Sequence, residues 1–159
     1  MEVAKIGATA KGGSRRLALT DLDREVRDLF VMWCREAGCN VSVDAMGNVF
    51  ARREGQDPSR PPVLAGSHLD TQPNGGKFDG VFGVLAALEA VRTLNDHAIE
   101  TKRAIEIVDW TNEEGSRFAP AMISSGVFGG AFELDYALGR TDVDGKTMAE
   151  ELARIGYTG

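Results

Sequence analysis

The sequence VLAGSHLDTQPNGGKFDGVFGVLAALEAVRTLND, residues 63–96, decides the fold, because it predicts a strand, a glycine-rich loop and an amphipathic helix in succession. The apolar run 63–68 is typical of a short buried strand, and it ends at His68. A helix is expected over 80–96. Its apolar face consists of Val81, Leu85, Leu88 and Val91. One of the two histidines of the chain therefore lies where a strand gives way to a loop.

Another helix is predicted ahead of this stretch, over 21–37. Thr20 is a favoured N-cap residue, two aspartates in the first turn complement the helix dipole, and Gly38 is positioned to end the helix. The residues predicted to share the core-facing side are Val26, Leu29, Phe30, Trp33 and Ala37. This spacing favours packing of the tryptophan in the core over a role as a ligand platform.

Short β-rich runs complete an alternation of helices and strands. Residues 39–45 and 48–53 predict a hairpin, and 103–111 predicts a further strand after the proline-rich loop 54–62. That last strand ends at the polar segment 112–118. The pattern predicts an α/β fold, in which ligand sites collect outside the carboxyl ends of strands. A site is therefore expected at the polar ends of these strands.

Composition excludes several classes of partner. The chain has 159 residues, 43% of them hydrophobic and 26% charged, and a formal net charge of −6, as expected for one globular domain. An excess of negative charge disfavours nucleic acid and anionic membranes. The apolar runs are too short to cross a bilayer, and the N-terminus lacks the apolar core of a secretory signal. We therefore expect a cytoplasmic location and reduced thiols at Cys34 and Cys39.

Five ionisable residues near the two strand ends form a candidate metal site. His68 could present its imidazole to a metal, while Asp70 could hydrogen-bond the other ring nitrogen. Asp79 supplies a carboxylate of the kind that bridges two cations. Glu113 and Glu114 are adjacent on a loop, so one could bind metal while the other faces the attacking water.

Each of these residues also has a structural interpretation. A lone histidine at a strand end is usually structural, a pair of glutamates usually lies on a solvated surface, and Asp79 could be a helix N-cap. His97, just past a predicted helix, is expected to be an exposed residue with no ligand role. The metal hypothesis is favoured because all three of these features, the histidine, the glutamate pair and Asp79, fall at predicted strand or helix ends.

Two segments closely resemble the N-carbamoyl-L-amino-acid hydrolases. They are GSHLDTQPNGGKFDGVFGVLAALEAV, residues 66–91, and WTNEEGSRFAPAM, residues 110–122; segments 6–30 and 125–138 fit the same pattern. These hydrolases are dinuclear metallo-amidohydrolases related to zinc aminopeptidases, β-ureidopropionase and allantoate amidohydrolase. The resemblance implies the front part of a zinc-aminopeptidase-like catalytic domain, with a mixed sheet flanked by helices. Its implied activity is hydrolysis of N-carbamoyl-L-amino acids to amino acid, carbon dioxide and ammonia.

The resemblance also assigns roles by position. His68 would bind the first metal, Asp79 would bridge both metals, and Glu114 would bind the second. Glu113 would be the general base, and Asp70 the carboxylate behind the histidine. Two divalent ions are implied, and a histidine with carboxylates suits zinc, manganese, cobalt or nickel. The implied partner is a small N-carbamoyl amino acid. Allantoate, ureidopropionase or aminopeptidase-like hydrolases and a non-catalytic binding module remain the alternatives.

The chain departs from this family in length. Full-length members carry two further histidine ligands and an inserted domain that forms a homodimer and binds the substrate carboxylate. Residues 1–159 are therefore expected to be a partial catalytic domain, without the dimerisation domain and the C-terminal part of the catalytic domain. Such a piece is expected to leave an apolar sheet edge uncovered and to have little or no activity alone.

Overall fold

The computed structural model of the protein describes residues 2–159 as a four-stranded sheet with helices packed against it. The elements in chain order are a 3-10 turn Val3–Lys5, α1 Asp21–Glu36, β1 Asn40–Val43, β2 Val49–Arg53, β3 Val63–Ser67, α2 Val81–Asp96, β4 Ile105–Asp109, α3 Ile123–Phe128, α4 Leu134–Leu138 and α5 Met148–Ile155. Among these described residues, no helix has the length and hydropathy required to cross a bilayer.

The sheet has the strand order β1-β2-β4-β3. β1 and β2 form the predicted antiparallel hairpin, and β2 pairs antiparallel with β4. β3 pairs parallel with β4, in a register that puts Ser67 beside Asp109. The predicted α/β class with a mixed sheet flanked by helices is therefore confirmed. The parallel pair brings the carboxyl ends of β3 and β4 together, where the sequence predicts a site.

The α1 helix follows the prediction closely. The Thr20 hydroxyl accepts a hydrogen bond from the Asp23 backbone nitrogen at 3.3 Å, and Gly38 has a positive φ of 79° just past the helix. Val26 and Phe30 are buried against the sheet. Trp33 is half-buried against the same core, which confirms its packing role.

A buried ion-pair network lies between α1 and the sheet. Arg27, one turn after Asp23, has its Nε 2.9 Å from the Asp23 carboxylate, and both side chains are fully buried. The same guanidinium donates to the Gly47 carbonyl and the Thr111 hydroxyl. Its Nη1 lies 3.9 Å from the carboxylate of Asp109, the last residue of β4. The network therefore connects the helix layer to the strand end.

The expectation that residues 63–68 form a buried strand is wrong for β3. Val63 is 51% exposed and Leu64 is 39% exposed, because β3 is an edge strand paired on one side only. α2 packs on β3, yet it does not cover these two side chains. Periodicity cannot distinguish an apolar edge strand from a central one, since sheet order is a property of the tertiary fold. The edge is uncovered and apolar, as the resemblance implies.

Candidate metal centre

The candidate residues lie on two loops at the carboxyl ends of β3 and β4. His68 directly follows β3, and Glu113 and Glu114 follow β4 after a short turn. The loop after β3 runs on to Asp79 and Gly80 at the start of α2. The parallel pairing of the two strands therefore brings together residues that are more than 40 positions apart in the chain.

Three of the predicted ligands converge. One ligand atom each from His68, Asp79 and Glu114 lies within 4.8 Å of the other two. The Oε1 atom of Glu114 is buried and has no hydrogen-bond partner among residues 2–159. A buried carboxylate oxygen without a donor is costly unless a cation or water satisfies it. The donor set, one imidazole and two carboxylates, fits a divalent transition metal.

The His68 ring is oriented by a backbone carbonyl. Its Nδ1 lies 2.9 Å from the Asp70 carbonyl oxygen and 3.8 Å from the Asp70 carboxylate. The sequence-based expectation that the carboxylate itself hydrogen-bonds the ring therefore differs from the structure, in which the chain turns so that the carbonyl takes this place. Because a carbonyl only accepts, Nδ1 carries a proton, and the ring in its neutral form would present the Nε2 lone pair to the cluster.

Gly80 allows the close approach of α2 to this histidine. Its φ is +66°, and a Cβ built on it would lie 2.5 Å from Nδ1 and Cε1 of His68. A side chain at this position would therefore displace the imidazole. Gly80 is also the N-cap residue of α2, so the interpretation of Asp79 as a side-chain N-cap is wrong. The Asp79 carboxylate is instead 62% exposed and lies 4.0 Å from His68 Nε2.

The Asp70 carboxylate joins the two loops. Its Oδ1 accepts a hydrogen bond from the Glu113 backbone nitrogen at 3.1 Å, and its Oδ2 accepts one from Glu114 at 3.3 Å. Burial, with the negative charge of Asp23 nearby, raises the pKa of Asp70 to about 7. Asp70 thus fixes the backbone of both glutamates.

Glu113 faces the histidine. Its Oε2 lies 3.3 Å from His68 Nε2, and its side chain is half-buried. Burial alone would lower the pKa of His68, but the surrounding carboxylates, chiefly that of Asp70, raise it. The cluster therefore has a strong excess of negative charge, which a cation would neutralise.

The structure adds a residue that the sequence analysis did not select. The Oδ1 of Asp109 accepts a hydrogen bond at 2.8 Å from the backbone nitrogen of Leu69, between His68 and Asp70. Asp109 is fully buried, and its pKa is raised to about 6 by burial. The sequence feature that could have identified Asp109 is a charged residue at the end of an apolar strand.

His97 lies apart from the cluster. It is the exposed C-cap residue of α2, and its backbone nitrogen bonds to the Thr93 carbonyl at 3.1 Å. The expectation of an exposed helix-end histidine is confirmed.

This α/β fold, with a histidine and carboxylates at the ends of two parallel strands, has the donor set of a metal-binding domain. Residues 64–156 match the model of peptidase family M20/M25/M40, and the chain belongs to that family. The whole chain is 58% identical to an N-carbamoyl-L-amino-acid amidohydrolase of Rhizobium meliloti. It is also 43% identical, over 98% of its length, to an N-carbamoyl-L-amino acid amidohydrolase of Geobacillus stearothermophilus.

Solved structures agree with this assignment. A hydantoinase/carbamoylase family amidase from Burkholderia multivorans superposes on the whole chain with a TM-score of 0.99 and 66% identity. Aminopeptidase PepT from Bacillus cereus shares the fold over 71% of the chain, with a TM-score of 0.55 and 16% identity, and the chain covers 35% of it. The chain spans 38% of the length of both curated relatives and 39% of the Burkholderia structure.

Proposed function

We propose that this chain is the metal-binding front part of an amidohydrolase that acts on N-carbamoyl-L-amino acids. The observation that carries the proposal is the convergence of His68, Asp79 and Glu114 within 4.8 Å, beside the Glu113 carboxylate. Similarity to relatives named N-carbamoyl-L-amino-acid amidohydrolase supports the substrate class. The products would be the free amino acid, carbon dioxide and ammonia.

The chain contributes three ligands toward two divalent ions. His68 would hold the first ion through Nε2, Asp79 would bridge the two, and Glu114 would hold the second. Divalent ions in such a site supply Lewis acidity, which polarises the scissile carbonyl and acidifies water. Zinc, manganese, cobalt and nickel all suit this donor set. Because catalytic zinc usually has three protein ligands, we propose that further ligands come from outside residues 1–159.

Glu113 is the proposed general base. Its carboxylate would take the proton from the attacking water and pass it to the leaving nitrogen. The water oxygen would bond to the ureido carbon, the bond from that carbon to its terminal amino nitrogen would break, and this nitrogen would leave as ammonia. The N-carboxylated amino acid that remains would then lose carbon dioxide to give the free amino acid. Asp70 holds the Glu113 backbone through a hydrogen bond of 3.1 Å, which restricts where this carboxylate can reach. Its proposed role is to position the base.

The experiment begins with the intact mass of the gene product in its native cell. A mass above the 17.1 kDa of this chain would make the longer product the enzyme to assay, with each of the four metals, for release of amino acid and ammonia. Glu113→Gln in that product is expected to reduce turnover by several orders of magnitude while metal content stays unchanged. Equal turnover in the variant would contradict the assignment of the base.

A substrate panel tests the specificity. N-carbamoyl-L-amino acids, allantoate, a ureidopropionate and a dipeptide would be compared at equal concentration. We expect the highest kcat/KM for the carbamoyl amino acids. A preference for another member of the panel would assign the chain to a related branch, and no turnover at all in a metal-loaded product would favour a binding module. We also propose that this product is a homodimer, which light scattering would test.

A further inference from the structure

Gln72 contacts one of the candidate ligands from outside the cluster. Its Nε2 donates a hydrogen bond to Glu114 Oε2 at 3.0 Å. Gln72 itself is exposed, so this contact is not a consequence of burial in the core. A carboxylate can only accept, so the amide nitrogen, and not its oxygen, faces Glu114.

The backbone around Gln72 is fixed on both sides. The preceding Thr71 donates its backbone N–H to the Arg16 carbonyl at 2.7 Å. Three residues after Gln72, Gly75 exchanges backbone hydrogen bonds with Ser14, at 2.9 and 3.0 Å. The Gly75 nitrogen also lies 3.2 Å from the Gln72 carbonyl, which closes a turn. The side chain of Gln72 therefore starts from a defined position, and ordering it costs less entropy than ordering a side chain on a mobile loop.

The two oxygens of Glu114 differ because of this contact. Oε2 is occupied by Gln72, whereas Oε1 is buried and has no hydrogen-bond partner among residues 2–159. The backbone nitrogen of Glu114 is held separately, by Asp70 at 3.3 Å. Turning the Glu114 carboxylate out of this orientation would break its hydrogen bond with Gln72. The Gln72 amide therefore favours the Glu114 rotamer in which Oε1 has no hydrogen-bond partner among residues 2–159. Residues that hydrogen-bond a metal ligand commonly act in this way.

We propose that Gln72 is a positioning residue that orients Glu114 for cation binding. This inference rests on the metal centre of the proposed function. It adds to that centre a residue that would act through Glu114 without binding the cation itself. The gain comes from pre-organisation, because an oriented carboxylate loses less rotational freedom when the ion binds.

Gln72→Met tests the proposal, since methionine has nearly the same length and lacks the donor. Mn²⁺ and Zn²⁺ affinities of the gene product used in the activity assay, which includes any ligands outside residues 1–159, would be measured by chelator competition. We expect Gln72→Met to weaken the affinity at one of the binding events by about 10- to 100-fold. The matched control is Gln56→Met, which removes a hydrogen bond of the same kind, from Gln56 Nε2 to Glu100 Oε2 at 2.7 Å, on another loop. This control is expected to leave both metal affinities unchanged.

A double variant separates positioning from a general structural effect. If Gln72 acts through Glu114, Gln72→Met should have no further effect on metal affinity in a Glu114→Gln background. Without metal, Gln72→Met and Gln56→Met should each have the melting temperature of the native protein. Additive losses in the double variant would overturn the proposed route through Glu114.

The outcomes distinguish the two proposals. A native gene product that binds neither ion would overturn the metal centre, and the role of Gln72 with it. A native gene product that binds an ion, with Gln72→Met binding equally or more tightly, would overturn the role of Gln72 alone. In that case the Gln72 amide either competes with the cation for Glu114 or has no effect on cation binding.

Discussion

The carboxylate of Asp70 lies 3.1 Å from the backbone nitrogen of Glu113, a residue 43 positions further along the chain. Its second oxygen accepts from the next backbone nitrogen, that of Glu114. The loop that carries the candidate histidine ligand is therefore bonded directly to the loop that carries the candidate base. Because both loops leave the sheet at adjacent parallel strands, a single carboxylate is long enough to join them.

Asp70→Asn is expected to make the loop that carries Glu113 and Glu114 more mobile. The amide keeps one acceptor oxygen and replaces the other with a donor, so one of the two backbone nitrogens loses its partner. Hydrogen bonds to charged groups contribute about 1.5–3 kcal/mol, so amide exchange at Glu113 or Glu114 should accelerate by about tenfold or more. Hydrogen exchange read by NMR measures this.

The control for that experiment is Asp44→Asn. The Asp44 carboxylate also accepts from two backbone nitrogens, those of Met46 and Asn48, both at 2.9 Å, in the turn of the hairpin. Because both nitrogens bond the single oxygen Oδ1, Asp44→Asn can keep both bonds and loses only the charge and the acceptor of Asn48 Nδ2 at 2.9 Å. Exchange in that turn should therefore change less than exchange at the glutamates does in Asp70→Asn, and exchange at Glu113 and Glu114 should be unchanged. Unchanged exchange at both glutamates in Asp70→Asn would contradict the proposed connection between the loops.

The two histidines provide a direct comparison for metal binding. His68→Ala removes the one imidazole in the cluster and is expected to abolish the rise in melting temperature that Mn²⁺ or Zn²⁺ produces. His97→Ala should retain the full rise, because this residue is exposed and caps α2 through its backbone. Thermal unfolding with and without metal measures both. An equal loss in the two variants would indicate non-specific binding to exposed imidazoles.

Arg27→Met is expected to destabilise the chain by about 3–5 kcal/mol, because it leaves buried carboxylates without their cation. Asp23 and Asp109 are the carboxylates concerned, and both are fully buried. Arg24→Met is the matched control, since Arg24 forms an exposed pair with Asp28 on the same helix, at 3.6 Å. That change should cost less than about 0.5 kcal/mol. Urea unfolding monitored by circular dichroism would measure both, and equal losses would contradict the importance of the buried network.

Glu151 is expected to contribute a pH-dependent part of the stability. Burial by itself would raise its pKa, but hydrogen bonds from Arg154 and Arg117 outweigh this and lower the pKa below the ordinary value of 4.5. A carboxylate with a lowered pKa in the folded state stabilises the fold fully above its unfolded pKa. This stability is then lost as the pH falls through the lower, folded value.

The free energy of unfolding would be measured between about pH 3 and pH 7, a range that includes the ordinary pKa of a carboxyl group. Glu151→Gln should flatten the acid side of the curve relative to the native chain. Glu89→Gln, an exposed position on α2 with no ion pair among the described residues, serves as the control. An acid limb that is equally steep in Glu151→Gln would show that the ion pairs with Arg117 and Arg154 contribute little.

Local chemistry made much of the fold predictable. Thr20 and Gly38 define the ends of α1, and the glycine-rich loop after His68 separates a strand from α2. The positions of His68, Asp79 and Glu114 near element ends were enough to propose a shared site. The exposure of β3 was not predictable, because an apolar strand has the same sequence pattern at the edge and at the centre of a sheet.

The sequence by itself determined which residues form helices, strands and loops, because caps, glycines and apolar spacing act within a few residues. It also determined the residue types available for a metal centre. Only the tertiary structure decided that β3 and β4 lie side by side, and that the Asp70 carbonyl, rather than its carboxylate, bonds His68. These depend on strand order and loop direction, which are set by the packing of the whole sheet and its helices.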